Sequence, residues 1–345
     1  MPEIEAIKST NALPEEQVIL KRRKKRMAMD TLARYGVAIG GISSIIAITL
    51  IFFYLFSVVL PLFKSASIEP ETQINTSVSA NASWNLALEE QNEIATRFDS
   101  EGRIEFFKTA TGEYISAEQL QLAGNKVVSY GAGDPSTAVS VYGLSNGTAI
   151  VTKLEYDVSY PNNERHIEPS VSYPLGQEPI YIDETLRPLE KIAVQSFESS
   201  TTIAAYTKDG RLLLSSAEAE ESFLSDELEI VQTNSEVEAP PAAVTHLLIN
   251  KQQDILYAVD VQGYISFYDI GDKDEPELVE RKPLTNNNQP VTDIAFIPGT
   301  ISLISITDDG DIKQWFPVRD DINNWSLTHV RTLDHMRGAL KIIPE

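Results

Sequence analysis

The sequence predicts a mainly β fold, a run of at least five blade-like repeats of about 45–50 residues, preceded by one transmembrane α-helix. Three observations predict it. Residues 35–63 carry no charged side chain. Beyond them, strand-like apolar runs recur around glycine turns at a nearly fixed spacing. The composition, 42% apolar and 23% charged, suits a chain that buries a core rather than a disordered one.

Residues 1–34 form a basic tail, with Lys21, Arg22, Arg23, Lys24, Lys25 and Arg26 in one block and Arg34 closer still to the apolar run. The apolar run, 35–63, is longer than the about 20 residues that a spanning helix needs. Its far flank offers only Lys64, so the positive-inside bias places the tail in the cytoplasm and the rest of the chain on the opposite side. A cleavable signal peptide has an apolar core of only about 7–15 residues, which favours an uncleaved anchor. Gly36 and Gly40 put small residues four apart in the span, where close packing on another helix is open to them.

Residues 64–83 are rich in Ser, Thr and Asn without helical or strand period and read as a flexible linker. The domain proper is expected over 84–345. Within it, residues 244–270 lie over 291–317 without gaps at an offset of 47, with Leu247/Ile294, Leu256/Leu303, Ile265/Ile312 and Tyr268/Trp315 in register and Gly263 over Gly310. The same template fits 83–108 around Gly102. It fits more loosely from Lys191 to Ser216 around Gly210, and weakly around Gly147. Each unit reads as an apolar strand, a loop, a second apolar strand, a tight two-residue turn whose glycine supplies positive φ, and an alternating third strand. A spacing of this size with one such hairpin per unit is the signature of a β-propeller blade, similar in period and turn to WD40 or quinoprotein-like propellers but without a Gly-His or strict Trp-Asp dipeptide.

Two stretches depart from the period. The acidic segment 216–243, ending in Pro240-Pro241, is expected to be a long loop between blades. Residues 337–345 overlay 291–299 at an offset of 46, as the first strand of a further blade. Two accounts stay open: closure of the ring by a terminal strand, or continuation of the natural polypeptide past Glu345, which the unpaired edge of a half-blade favours.

Charge and side-chain chemistry narrow the function classes. The net charge is −22, and with the tail and span set aside the remainder is more acidic still. Such a surface repels nucleic acid and does not concentrate a free anion such as phosphate. The absence of cysteine removes disulfides, thiolate metal sites and a Cys nucleophile. His166, His246, His329 and His335 have no partner at metal-ligand spacing. Asp308, Asp309 and Asp311 are grouped as calcium likes, yet Asp and Gly are also what turns require. No catalytic, cofactor or metal residue is therefore assigned, and an enzyme is not expected.

Residues 21–63, in particular 47–55 followed by 58–63, resemble the N-terminal region of the long form of the phosphate ABC transporter permease, the PstC type of Gram-negative bacteria. The resemblance implies a first inner-membrane helix, then a large periplasmic insertion of propeller character, then permease helices. It implies as partners the permease and ATPase subunits of the transporter, with a periplasmic phosphate-binding protein as a further one. No second hydrophobic span follows Phe63, so these residues alone form no translocation path, and the propeller is expected to serve protein contact or regulation. The rival expectations are a freestanding membrane-tethered propeller that scaffolds cell-envelope assembly, and a quinone- or calcium-dependent propeller enzyme.

Overall fold

The computed structural model describes residues 13–63, 79–221, 228–286, 288–321 and 325–343. It divides into two compact units, Met1–Gln73 and Ile74–Glu345.

In the first unit a single helix, α1 (Leu13–Val59), continues as a 3-10 turn over Leu60–Phe63. Pro14 falls in its first turn, where no backbone donor is needed, and Pro61 cannot donate to the ladder, which ends the α-helical bonding. At 47 residues the rod is about 70 Å long. Lys21–Phe63 is long and apolar enough to cross a membrane. Inside this stretch Thr31 and Thr49 return their hydroxyls to the carbonyls of Met27 and Ile45, each at 2.8 Å, which satisfies them without water. The basic block 21–26 lies on the same helix as the apolar run.

The second unit contains five antiparallel meanders, each with its four main strands paired in sequence order. Blade one holds β1 (Ser83–Leu88), β2 (Ile94–Asp99), β3 (Arg103–Lys108) and β4 (Tyr114–Gln119). Blade two holds β5 (Val127–Ala132), β6 (Val139–Leu144), β7 (Thr148–Ser159) and β8 (His166–Ser172), with the short β9 (Ile180–Tyr181) added beside β7. Blade three holds β10 (Leu189–Phe197), β11 (Ser200–Thr207), β12 (Leu212–Glu221) and β13 (Leu228–Val237). Blade four holds β14 (Val244–Ile249), β15 (Ile255–Asp260), β16 (Tyr264–Asp269) and β17 (Glu277–Pro283). Blade five holds β18 (Val291–Phe296), β19 (Leu303–Thr307), β20 (Ile312–Arg319) and β21 (Trp325–Leu333).

Successive blades stack through apolar clusters. One joins blades one and two around Phe98, Phe106 and Tyr142. Others join two and three around Val141, Val194 and Ile203, three and four around Leu214, Leu256 and Tyr268, and four and five around Tyr257, Phe267 and Trp315. In blades two and four the second strand lies between two such clusters, so β6 and β15 are buried at every residue. That explains their near-continuous apolar reading in the sequence. First strands meet first strands, β5 with β10 and β10 with β14, which puts them on the inside of the arc. Each carries a register shift near its start, at Ser83/Asn85, Val127/Ser129, Leu189/Lys191, Val244/His246 and Val291/Asp293. A bulge there increases local twist, as a blade requires.

The unit that the template fits only weakly around Gly147 is a complete blade, in keeping with the five expected repeats. Three sequence expectations are corrected. The segment 216–243 is not a free loop: Leu212 to Glu221 pairs with Val237 back to Leu228, so the acidic stretch extends the outer hairpin of blade three. The turn is a three-residue loop, not a two-residue one, because β15 ends at Asp260 and β16 begins at Tyr264 with 261–263 between them. Finally, every blade has a fourth, outer strand that the repeat template lacked.

Candidate interaction surface

The five turn glycines, Gly102, Gly147, Gly210, Gly263 and Gly310, all adopt positive φ, between 75° and 95°. Each N–H closes a four-residue turn onto the carbonyl three positions earlier, as in Gly263 to Asp260 at 3.0 Å and Gly310 to Thr307 at 2.9 Å. Glycine is thus the left-handed residue that ends a type I turn in a three-residue hairpin loop. Where the turn begins with Asp, the side chain holds the loop as well: Asp260 Oδ1 accepts the N–H of Gln262 at 2.9 Å and of Tyr264 at 3.1 Å. Asp99 does the same for Glu101 and Arg103. Burial raises the Asp99 pKa, but hydrogen bonds from the Asn81 side chain, these two N–H groups and Ser79 outweigh it and hold the carboxyl below its ordinary value.

The glycines also guide the chain from one blade to the next. Leu120 N–H donates to Gly102 O at 3.0 Å, Ile182 to Gly147 at 3.0 Å, Leu284 to Gly263 at 2.9 Å and Met336 to Gly310 at 3.0 Å. The passing backbone lies so close that a Cβ on Gly263 would sit 2.1 Å from Gln289 O, and one on Gly310 2.6 Å from Met336 C. Gly210 has only the Tyr206 hydroxyl nearby, at 3.6 Å. The five glycines are therefore not gathered in one place; each serves its own blade.

In blades one, two and four the residue after the inner-strand bulge reaches toward the next inner strand. Asn85 donates to the Tyr130 hydroxyl at 3.4 Å, and Ser129 donates to Leu189 O. His246 Nε2 lies 3.8 Å from Asp293 Oδ1. His246 is half-buried, and desolvation lowers its pKa despite the nearby Asp293 carboxylate. It is a packing residue of the inner strand, consistent with its apolar setting in the sequence.

Entry into blade one is pinned by a buried ion pair. Arg97 Nη1 meets Glu105 Oε2 at 2.6 Å. The same guanidinium donates to Ser83 Oγ at 2.6 Å, Ser79 Oγ at 2.8 Å and Asn81 O, while Glu105 accepts Ser79 N–H at 3.1 Å. Charge-assisted bonds of this kind satisfy both ions where water is scarce. They fix residues 79–83 of the expected linker onto the blade. The sequence offered no signal for this pair, because Arg97 and Glu105 come together only through the pairing of β2 with β3.

The described surface also has concave places. An apolar slot between blades four and five, about 280 Å³, is lined by Tyr257, Phe296, Phe316 and Trp325 among others. An open acidic depression of about 540 Å³ is lined by Asp308, Asp309, Asp311, His335 and Arg337. Among the described residues no group of three or more His, Asp or Glu side chains could hold a metal ion.

Five stacked four-stranded meanders define a β-propeller-type repeat domain, and the chain joins it to one long apolar N-terminal helix. No protein-family profile matches the sequence, and no curated protein does. Among solved structures, the β-propeller domain of Myceliophteria thermophila Cps50 (Swd1) is similar over 75% of this chain and 74% of that one, at 10% identity and a TM-score of 0.47. A likeness this distant leaves function to the chain's own features.

Proposed function

We propose that the chain is the N-terminal anchor and periplasmic propeller of an inner-membrane phosphate ABC transporter permease, in which the propeller makes protein contacts and transport belongs to helices outside these 345 residues. The observation that carries this reading is the order of parts. A basic block abuts one apolar helix with the permease-like segment 47–63, and the stacked blades follow. The acidic surface supports the same division of labour, since a negatively charged domain does not gather a free anion by long-range attraction.

The test is affinity purification of the protein from native membranes in mild detergent, with identification of what stays bound. A transporter ATPase and a permease subunit recovered in stoichiometric amounts support the reading. Recovery of outer-membrane assembly or cell-wall proteins in their place would move the protein to envelope scaffolding.

A further inference from the structure

The loops that join inner to second strands lie at the blade ends opposite the turn glycines, and two of them can be compared directly. Gln253 of blade four and Thr300 of blade five stand at the repeat offset of 47. Each closes its turn onto the carbonyl three positions earlier, Asn250 O and Ile297 O, at 3.0 Å. Each is buried and left-handed, with φ of 61° and 53°. Their side chains differ in reach. Gln253 crosses to blade three, where its Oε1 accepts the Thr202 hydroxyl at 2.5 Å and its Nε2 donates to Ser200 O at 3.1 Å. The shorter Thr300 makes no such bond, and among the described residues neither its buried hydroxyl nor that of Tyr257 on blade four has a hydrogen-bond partner.

The place that Gln253 fills between blades three and four is open between blades four and five. Ile255 and Thr202 each stand eight residues before their turn glycine, and Ile255 lines the apolar slot of about 280 Å³ together with Thr300. The walls are aromatic: Tyr257, fully buried, Phe296 with its ring 6.0 Å from that of Tyr257, and Phe316 and Trp325 from β20 and β21. Apolar surface continues outside, since Ile301 is 48% exposed and Phe316 38%. Among the described residues that line the slot, Asp254 is the one charged side chain. Asn250 steadies it, donating from Nδ2 to Oδ1 at 2.5 Å. Lys273 is a cation near Asp254, but Asp269, Asp272 and Glu218 surround it as well, so the local balance stays negative. The volume falls below the about 300–1,000 Å³ of pockets that bury a drug-sized ligand and suits a single ring. Asp254 and the net charge of −22 repel an anion and draw a cation.

We propose that this slot is a docking site for a segment of a partner protein that inserts one aromatic side chain between blades four and five and carries Lys or Arg on either side of it. The ring packs against Phe296, Phe316 and Trp325, and the flanking cations meet Asp254 and the acidic surface around it. The exposed Ile301 and Phe316 extend the contact to the backbone of the segment, which a lone small molecule would leave bare. The inference deepens the reading of the propeller as a domain for protein contact and rests on that part of it, not on the solute or on an ATPase.

The test is calorimetric titration of the 345-residue chain, in mild detergent, with the peptide Lys-Lys-Phe-Lys-Lys capped at both ends. The expected result is saturable binding that weakens at least about tenfold when the peptide's Phe is replaced by Ala, and that disappears when its Lys residues are replaced by Glu. Thr300→Gln copies the side chain that fills the neighbouring crevice. It is expected to keep or raise the melting temperature and to weaken the peptide at least about tenfold. Should that variant melt lower, Ile301→Ser, on the exposed lip, is expected to weaken binding without altering the melting curve. Asp254→Asn can still accept the bond from Asn250 and is expected to flatten the salt dependence of binding. No saturable binding, equal binding of the Ala peptide, or unchanged affinity in a well-folded Thr300→Gln or Ile301→Ser overturns the proposal. Phenethylamine binding as tightly as the peptide would assign the slot to a small amine and overturn it too. Native membranes from which no ATPase or permease co-purifies would sink the transporter reading and leave peptide binding as it is.

Discussion

Gly263 and Gly210 look alike in the sequence, each closing a turn before an alternating strand, but their surroundings separate them. Alanine at Gly210 incurs only the left-handed backbone cost, about 1–2 kcal/mol, because its side is open. Alanine at Gly263 or Gly310 also drives a methyl into the passing backbone and is expected to cost about 3 kcal/mol or more, read as a difference in urea midpoint at constant slope. A second residue-scale prediction concerns acid. The folded state holds the His246 pKa below its ordinary 6.5, so the unfolded chain binds the proton more readily. Its contribution is intact above that value and is lost as pH falls from 6.5 toward the lowered folded pKa. His246→Gln is expected to flatten stability over that window, and an unchanged slope would show that the ring is not the group responsible. Asp99 acts lower on the scale: its depressed pKa gives stability above 3.8 that disappears as pH falls through the folded value.

At the scale of the element, α1 carries its basic block and its apolar run on one continuous rod, and under the proposed anchor role orientation in a bilayer is decided by which end the positive charge holds back. Replacing Lys21, Arg22, Arg23, Lys24, Lys25 and Arg26 with Asn while adding Lys after Phe63 is expected to invert the chain in a large fraction of molecules. Because the protein has no cysteine, a single introduced Cys in β3 reports the outcome cleanly through its reaction with an impermeant thiol reagent. Unaltered labelling would mean that another feature sets the topology. The strands divide along similarly physical lines. Second strands such as β15, sandwiched between two clusters, were legible as apolar runs. Outer strands were not: β4, β17 and β21 are mostly half-buried or exposed and carry mixed polar sequence that looks like loop. The acidic segment after Ser216 misled for the same reason, since an outer hairpin facing solvent can be as polar as a loop and still be held by its ladder.

For the whole molecule, the apolar clusters predict a gradient of stability along the arc. Blades two, three and four each have an apolar cluster shared with a neighbour on either side, whereas blade five's cluster is shared only with blade four and blade one's only with blade two. In the 345-residue chain, amides of β6, β11 and β15 are expected to exchange slowest, and those of β1 and β21 at least about a hundredfold faster. Uniform exchange across all five blades would indicate a closed ring in which the end blades are also covered. Repetition makes such a gradient natural, because each blade is stabilised mainly by its own core and its immediate neighbours.

The sequence by itself determined the fold class, the apolar helix, the number of recognisable units and the glycine at each turn. All of these rest on local period or on a backbone conformation that one residue type supplies at least cost. Only the tertiary structure decided the length of the turn, the outer strands, the Arg97–Glu105 pair that pins the entry segment, and the path of residues 336–343 beside blade five. Those features depend on which segments lie next to one another, and adjacency across a sheet or between blades leaves no mark on the residues of either segment alone.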